Sequence, residues 1–435
     1  MNTYPRAAIV DAIRSVLEDP LASRHMAAFS QDARLNEDLH LDSVLVLNLI
    51  LHLETEHGFE IPERAMSKDH FSTVADLADL IAGASEASPD DPAFRPIPEE
   101  EIDIKVHCVV SCLAAGIKAR GFDHRPFYMG VWDTGFTTGP NHRMTYHAKG
   151  VTHDHFLHWF ERIYGVPVHG WYDHAATKDE NLAKLEHLLA TRTETEHVMV
   201  MLDMFHLPER ENKFNQNPFP HYVMLEKTED PGMWFMHDPD FRWEGRLPRA
   251  TIRNAIAQPS VSGGFIYDRS LAHGPDRDAV RDYFLDTFQA DCMPLLEAVV
   301  SIFHAHSGDA ALHPTADLAH ALRELPVIGI RKYAYEHGFA YFGRALGTSE
   351  AEFEARCDEI EELQQGLRRL HYLALKLAET GTPETATEAQ RLIETLWRLE
   401  HRIKSALREE FDRWAEDVAP AEPNGATAEC VKERA

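Results

Sequence analysis

Apolar residues recur every three or four positions through the last part of the chain. Ile360, Leu363, Leu367, Leu370, Ala374 and Leu377 form one stripe, and Leu392, Leu396, Leu399, Ile403 and Ala406 form a second. That spacing is helical. Gly381-Thr382-Pro383 between the stripes predicts an antiparallel helical hairpin, because glycine ends a helix and proline opens one. The middle of the chain has a different rhythm. From about 101 to 268, helical segments such as 151–164 alternate with short strand-like runs, His197 to Met204, His221 to Glu226 and Met233 to Asp238. Such alternation predicts a mixed α/β or α+β domain. Near the N-terminus, Val44, Leu47, Ile50 and Leu51 again follow a helical period, just behind the loop 35–41.

Between these regions the composition shifts. Residues 84–100 are rich in proline, serine and acid, which predicts an extended, semi-stiff linker. Residues 418–435 are rich in Ala, Glu and Pro and read as a disordered tail. The expected organisation is therefore five-part: 1–83, the linker 84–100, a domain over 101–270, a helical C-terminal domain over 271–417 and the tail 418–435. A chain of 435 residues exceeds one ordinary core, which agrees with several domains. No apolar run approaches the roughly 20 residues of a membrane span, and the first residues lack a signal peptide's basic and apolar regions. A cytoplasmic protein that does not enter a membrane is expected. The formal charge of -28 argues against nucleic acid as a partner and favours cationic ones. Residues 1–83 hold 14 acidic and 6 basic side chains, a net of -8. Five scattered cysteines argue against a disulfide framework and leave thiols for chemistry. No glycine-rich nucleotide or dinucleotide loop is present.

Asp42-Ser43-Val44 places a hydroxyl at the start of an apolar helix, the second of its region, beside an acid. Downstream, residues 53–62 read as the end of that helix, with the chain turning toward a third, and 71–77 as the start of a last helix with Ser72 or Thr73 as N-cap. This stretch resembles the acyl and aryl carrier protein family over residues 1–83. The resemblance implies an all-α four-helix carrier domain with 4'-phosphopantetheine joined covalently to Ser43. It also implies two partners: a phosphopantetheinyl transferase and an acyl- or aryl-adenylating enzyme that loads the carrier.

A second constellation lies in the central domain. Cys108 follows a short strand-like run, 102–106, and begins a helix whose apolar face includes Val109, Cys112, Leu113 and Ile117. Free amides at a helix start favour a thiolate there, whereas Cys112, one turn deeper, is expected to behave as a small buried hydrophobe. Asp230-Pro231-Gly232 predicts a hairpin that pairs Glu226 with Met233, a register that sets His221 opposite Asp238. An aspartate beside a histidine fixes its tautomer so that the other ring nitrogen can take a proton. Cys108, His221 and Asp238 are thus the candidate catalytic residues. The helix-start cysteine, the strand opening His-Tyr-Val and the strand ending Asp-Pro resemble the papain-like cysteine fold used by bacterial peptidases and by acyltransferases of the butirosin BtrH type. His107-Cys108 and 120–133, with the helical C-terminal region, are similar to the AsbE family of petrobactin biosynthesis, and 1–83 to its AsbD-type aryl carriers. The chain therefore resembles a fusion of the two. One departure stands out: papain-like enzymes place a glutamine shortly before the nucleophile, and 101–107 contain none. The oxyanion donors would then be the amides of Cys108 or Val109, or His107.

The loop 130–136 and its neighbours suggest a lining for the substrates, with Tyr128 and Trp132 against an aryl group and Asp133 and Asp203 holding the distant charges of an amine. No spacing matches a metal site, so no metal is expected. The implied activity moves an acyl group, by resemblance 3,4-dihydroxybenzoyl, from the carrier to a small amine, by resemblance spermidine or a related polyamine, to form an amide. A carrier-linked thioesterase or peptidase, or a non-catalytic docking scaffold, fits the same residues.

Overall fold

In a computed structural model of the chain, the described residues are 4–23, 25–36, 38–41, 43–61, 71–83, 107–139, 141–147, 151–208, 210, 216–308 and 311–416. The N-terminal unit contains α1 (Arg6–Glu18), α2 (Ser43–Thr55) and α3 (Val74–Ala82). Ile9, Ile13 and Val16 of α1 bury against Leu47, Ile50 and Leu53 of α2 and Val74, Leu77 and Ile81 of α3. Thr73 is the N-cap of α3. Its hydroxyl accepts the Asp76 amide at 3.1 Å, while the Asp76 carboxylate accepts the Thr73 amide at 2.8 Å, a reciprocal capping box. The further helix expected after Pro62 falls on 62–70, outside the described residues, as do the linker 84–100, the run 102–106 and the tail 418–435.

The central unit begins with α4 (Cys108–Lys118), followed by the small hairpin β1 (Thr137–Thr138) and β2 (Met144–Thr145). Next come α5 (Asp154–Tyr164), β3 (Val168–Gly170), α6 (Lys178–Thr191), β4 (Glu196–Asp203), β5 (Pro220–Lys227), β6 (Met233–Asp238), β7 (Trp243–Pro248), α7 (Arg249–Ala257) and β8 (Gly264–Asp268). Strands β3 to β8 form one antiparallel sheet in the order β3-β8-β4-β5-β6-β7. Strand alternation divides the core. Val198, Val200 and Leu202 of β4 and Val223 and Leu225 of β5 bury with Leu185 of α6 and Ile252 of α7. Met199, Met201, Tyr222 and Met224 bury in the other cluster, with α4 and α5. Helix α4 lies close on the sheet because Gly116 has no side chain: a Cβ there would sit 2.7 Å from the Tyr267 ring, whose hydroxyl donates to the Cys112 carbonyl at 2.8 Å.

The observed hairpin register differs from the expected one by two. Glu226 pairs with Phe235, not Met233, and Lys227 with Trp234. Thr228 braces the turn 228–233, its hydroxyl donating to the carbonyls of Asp230 and Met233 at 2.8 and 2.9 Å. A shift of two preserves which face each side chain occupies. The β5–β6 ladder ends at Met224–His237. Beyond it, His221 stays paired to Leu202 of β4, and Asp238 to Trp243 of β7. The two central strands part company there, and the His221 and Asp238 side chains span the split.

The C-terminal region is helical: α8 (Arg277–Thr287), α9 (Pro294–His306), α10 (Leu318–Ala321), α11 (Leu325–Gly329), α12 (Ala334–Leu346), α13 (Glu350–Thr380) and α14 (Pro383–Glu416). The last two form the expected hairpin, with Gly381 as C-cap of α13 at φ 63°. Between them and α12 lies a buried charge cluster. Lys332 donates to Asp133 at 2.9 Å and to Glu400 at 2.5 Å, and Lys404 donates to Asp133 at 2.5 Å. Cys108, Cys112 and Cys357 carry free thiols, but Cys292 is disulfide-bonded, so the expectation of free thiols does not hold at that position. Among the described residues no helix is long and apolar enough to cross a membrane.

Candidate active site

Cys108 is the first residue of α4, and His107, its N-cap, makes no side-chain capping bond. The first-turn amides of Cys108 and Val109 therefore have no partner within the helix. The start of α4 is instead pinned by Asp240, in the short 3-10 turn that follows β6. Its Oδ1 accepts the His107 amide at 3.0 Å and the Ser111 hydroxyl at 2.8 Å. Burial pushes the Asp240 carboxyl up, and His221 and these bonds pull against it. Cys112 has no exposure, and its thiol lies 3.6 Å from the Tyr222 carbonyl, a packing position.

Cys108 and His221 line one cavity of about 270 Å³, with Asp240, His107, Tyr146, His153 and Arg331 among the other walls. His221 Nε2 and Asp238 Oδ1 are 2.9 Å apart, and Arg210 donates to Asp238 Oδ2 at 2.8 Å. Phe241 stacks on the imidazole with ring centres 4.8 Å apart. Since the carboxylate occupies Nε2, Nδ1 is the nitrogen left to act on Cys108, which lines the same cavity. Burial lowers the imidazole's pKa, but Asp238 and then Cys108 outweigh it and hold His221 well above its ordinary value. Burial likewise raises Asp238, and His221 and Arg210 overcome this and lower it. The geometry sets a thiol and an imidazole on one cavity, with a buried carboxylate behind the imidazole, an arrangement able to form and cleave an acyl-sulfur bond.

The four positions expected to bind substrate lie elsewhere. Asp133 is held by Lys332 and Lys404 in the interior. Trp132 stacks on Tyr335 at 4.9 Å, and Tyr128 on His337 at 4.1 Å, both within the core. Asp203 accepts the amides of Phe205 and Phe219 and the Ser260 hydroxyl, which fixes the end of β4. None of them lines the Cys108 cavity. Of the loop 130–136 only Gly135 reaches it. Arg331 secures that loop, donating to the Thr134 and Gly135 carbonyls at 2.6 and 3.1 Å.

Sequence reading missed Asp240, Tyr146, His153 and Arg331. Asp240 carried a usable signal, two residues past Asp238 in the same turn, whereas Arg331 arrives from far along the chain. The Tyr146 hydroxyl donates to the Pro220 carbonyl at 3.0 Å, and burial moves His153 down to about 4. His107 is also held neutral, chiefly by burial, and its Nδ1 is buried without a partner.

Ser43 opens α2 immediately behind a loop anchored by the buried Leu35, Leu39 and Leu41. Ser43 is the first of the thirteen residues of α2, and a helix start offers free amides to a phosphodiester, which fits phosphopantetheine.

Comparison with known proteins agrees with this division. Residues 7–81 match the family described as phosphopantetheine attachment site, 103–272 the DUF6005 N-terminal domain and 278–427 the DUF6005 C-terminal domain. The chain is 39% identical to petrobactin synthase of Bacillus anthracis over 314 residues, 72% of this chain and 96% of the relative. It is 29% identical to the acyl carrier protein AsbD of the same organism over 76 residues, 18% of this chain and 84% of the carrier. No solved structure matches. The carrier domain holds phosphopantetheine covalently.

Proposed function

From the premise that this chain belongs to the petrobactin synthase family, with a carrier domain fused at its N-terminus, we propose that it is an acyltransferase of siderophore biosynthesis that uses Cys108 as nucleophile. One observation carries the reading: Cys108 and His221 face a single cavity, and Asp238 holds the far nitrogen of His221 at 2.9 Å. A papain-like arrangement of helix-start cysteine and strand-borne histidine and aspartate is the architecture proposed with it.

Phosphopantetheine on Ser43 supplies the acyl group as a thioester. The Cys108 sulfur forms a bond to the acyl carbon as the donor C–S bond breaks, and the departing sulfur takes its proton from His221. Negative charge gathers on the acyl oxygen in between, where the amides of Cys108 and Val109 and the His107 ring are the available donors. An uncharged amine nitrogen then bonds the acyl carbon, gives its proton to His221, and the Cys108 C–S bond breaks to release an amide. By the family resemblance the acyl group is 3,4-dihydroxybenzoyl and the amine is spermidine or a related polyamine. Anchoring of its remaining charges falls to groups other than Asp133 and Asp203, which are engaged internally.

Intact mass spectrometry of the loaded chain tests this. Amine should remove the acyl mass from wild type and yield amide, and Cys108→Ala should hold its acyl group. Equal amide formation by Cys108→Ala would reject the nucleophile, and release of free acid whatever the amine would reject acyl transfer to nitrogen.

A further inference from the structure

Helix α2 of the carrier rests on α13 of the C-terminal hairpin. The Glu54 carboxylate takes Lys376 Nζ on one oxygen at 2.6 Å and the Tyr372 hydroxyl on the other. Tyr372 is 4% exposed, so this contact is seated in the helical surface and is not a chance meeting of long side chains. Charge matches across it. Residues 363–378 of α13 contain no acid, and of their three cations Lys376 meets the carrier, while Arg369 pairs with Glu388 of α14 at 2.8 Å and Arg368 donates to the Tyr333 hydroxyl. The carrier carries -8 by the count above.

The same helix also supports the active-site wall. Leu367 and Gln364 lie against Gly329, and the turn Ile330–Tyr333 directly after it brings Arg331 to the Cys108 cavity. Five residues of helix, about 8 Å, separate Leu367 from Tyr372. We infer that residues 363–378 of α13 are the dock from which the carrier presents its acyl group to Cys108 of its own chain, with Glu54 of α2 as the anchoring acid.

This rests on the acyl-transfer reading, and the test separates the two. Loaded full-length Cys108→Ala is mixed with unloaded full-length Ser43→Ala, and amide formation is compared with loaded wild type at the same low micromolar concentration. Delivery within the chain predicts a mixture at least tenfold slower than wild type, and a wild-type single-turnover rate constant that stays flat over a hundredfold dilution. A mixture as fast as wild type, or a rate constant proportional to concentration, overturns it. Activity of loaded Cys108→Ala alone would instead defeat the nucleophile. In a second arm, Glu54→Lys and Lys376→Glu should each slow transfer roughly fivefold, and the double exchange should recover most of the loss. Both single variants should use an acyl-N-acetylcysteamine thioester, which needs no dock, at the wild-type rate. Unchanged carrier transfer in the single variants, or equal slowing with the small thioester, overturns the assignment of α13 as the dock.

Discussion

Replacing Asp238 with asparagine should cost about a thousandfold in acyl transfer. The carboxylate has no exposure and serves two cations, His221 on one oxygen at 2.9 Å and Arg210 on the other at 2.8 Å. An amide keeps one acceptor only. If its oxygen faces His221, its NH₂ meets the Arg210 guanidinium, donor against donor. If its NH₂ faces His221, Nε2 must accept, the ring proton moves to Nδ1, and the nitrogen left for Cys108 can no longer take a proton. Losing a charge-assisted hydrogen bond in a buried site costs about 1.5–3 kcal/mol, and the wrong tautomer adds to it. A total near 4 kcal/mol corresponds to about 10³ in rate, less than the ~10⁴ a serine triad loses on the same change. Single-turnover amide formation from the loaded chain, followed by intact mass, reads the effect, and thermal melting separates it from unfolding. A loss below about tenfold with unchanged melting would mean that Asp238 does not orient the base.

Incubation with coenzyme A and a promiscuous phosphopantetheinyl transferase should add about 340 Da to wild type and nothing to Ser43→Ala; intact mass decides. Iodoacetamide near neutral pH should modify Cys108 well before Cys112, which has no exposure, and peptide mapping over time would show comparable rates if the cavity were closed. Lys332→Met leaves the buried Glu400 with the Tyr335 hydroxyl but no cation, and Asp133 with one cation, so it should destabilise by about 3–5 kcal/mol, read from the shift of a urea midpoint. His221 is raised in the folded state, so its contribution to stability is full below about pH 6.5 and fades as pH rises through the elevated value. Melting between pH 5 and 9 should therefore decline more on the alkaline side in wild type than in Asp238→Asn, and parallel curves would contradict the pairing.

Much of this fold could be read in the sequence because its signals are local. The stripes around Ile360–Leu377 and Leu392–Ala406 became α13 and α14, and Gly381 became the αL cap between them. The runs at 197, 221 and 233 became β4, β5 and β6 to within a residue or two. The hairpin register was off by two because Thr228, rather than Asp230-Pro231-Gly232 alone, braces the turn. His221 and Asp238 meet all the same, since an even slip keeps both on one face. The expected substrate residues fared worse for a physical reason. Asp133 looked available as an acid beside aromatic residues, but Lys332 and Lys404, about two hundred and more positions away, consume it. Partners at such separation leave no local periodicity.

Asp238-Pro239-Asp240 shows why nucleophile and base keep a fixed relation although they come from distant parts of the chain. Asp238 holds the imidazole, and two residues later Asp240 holds the first turn of α4 through the His107 amide and the Ser111 hydroxyl. Both reacting side chains are therefore referenced to one short turn, where β6 ends and the β5–β6 ladder has opened. Proline at its centre restricts that turn's backbone. Asp240 is accordingly a positioning residue, acting through α4. Its conversion to asparagine would keep an acceptor for the His107 amide, whereas conversion to alanine would free the helix start. The alanine variant should lose transfer rate while keeping the pH response of the His221–Asp238 pair, and the asparagine variant should restore much of the rate. Equal loss in the two would instead assign Asp240 an electrostatic role at the reacting atoms.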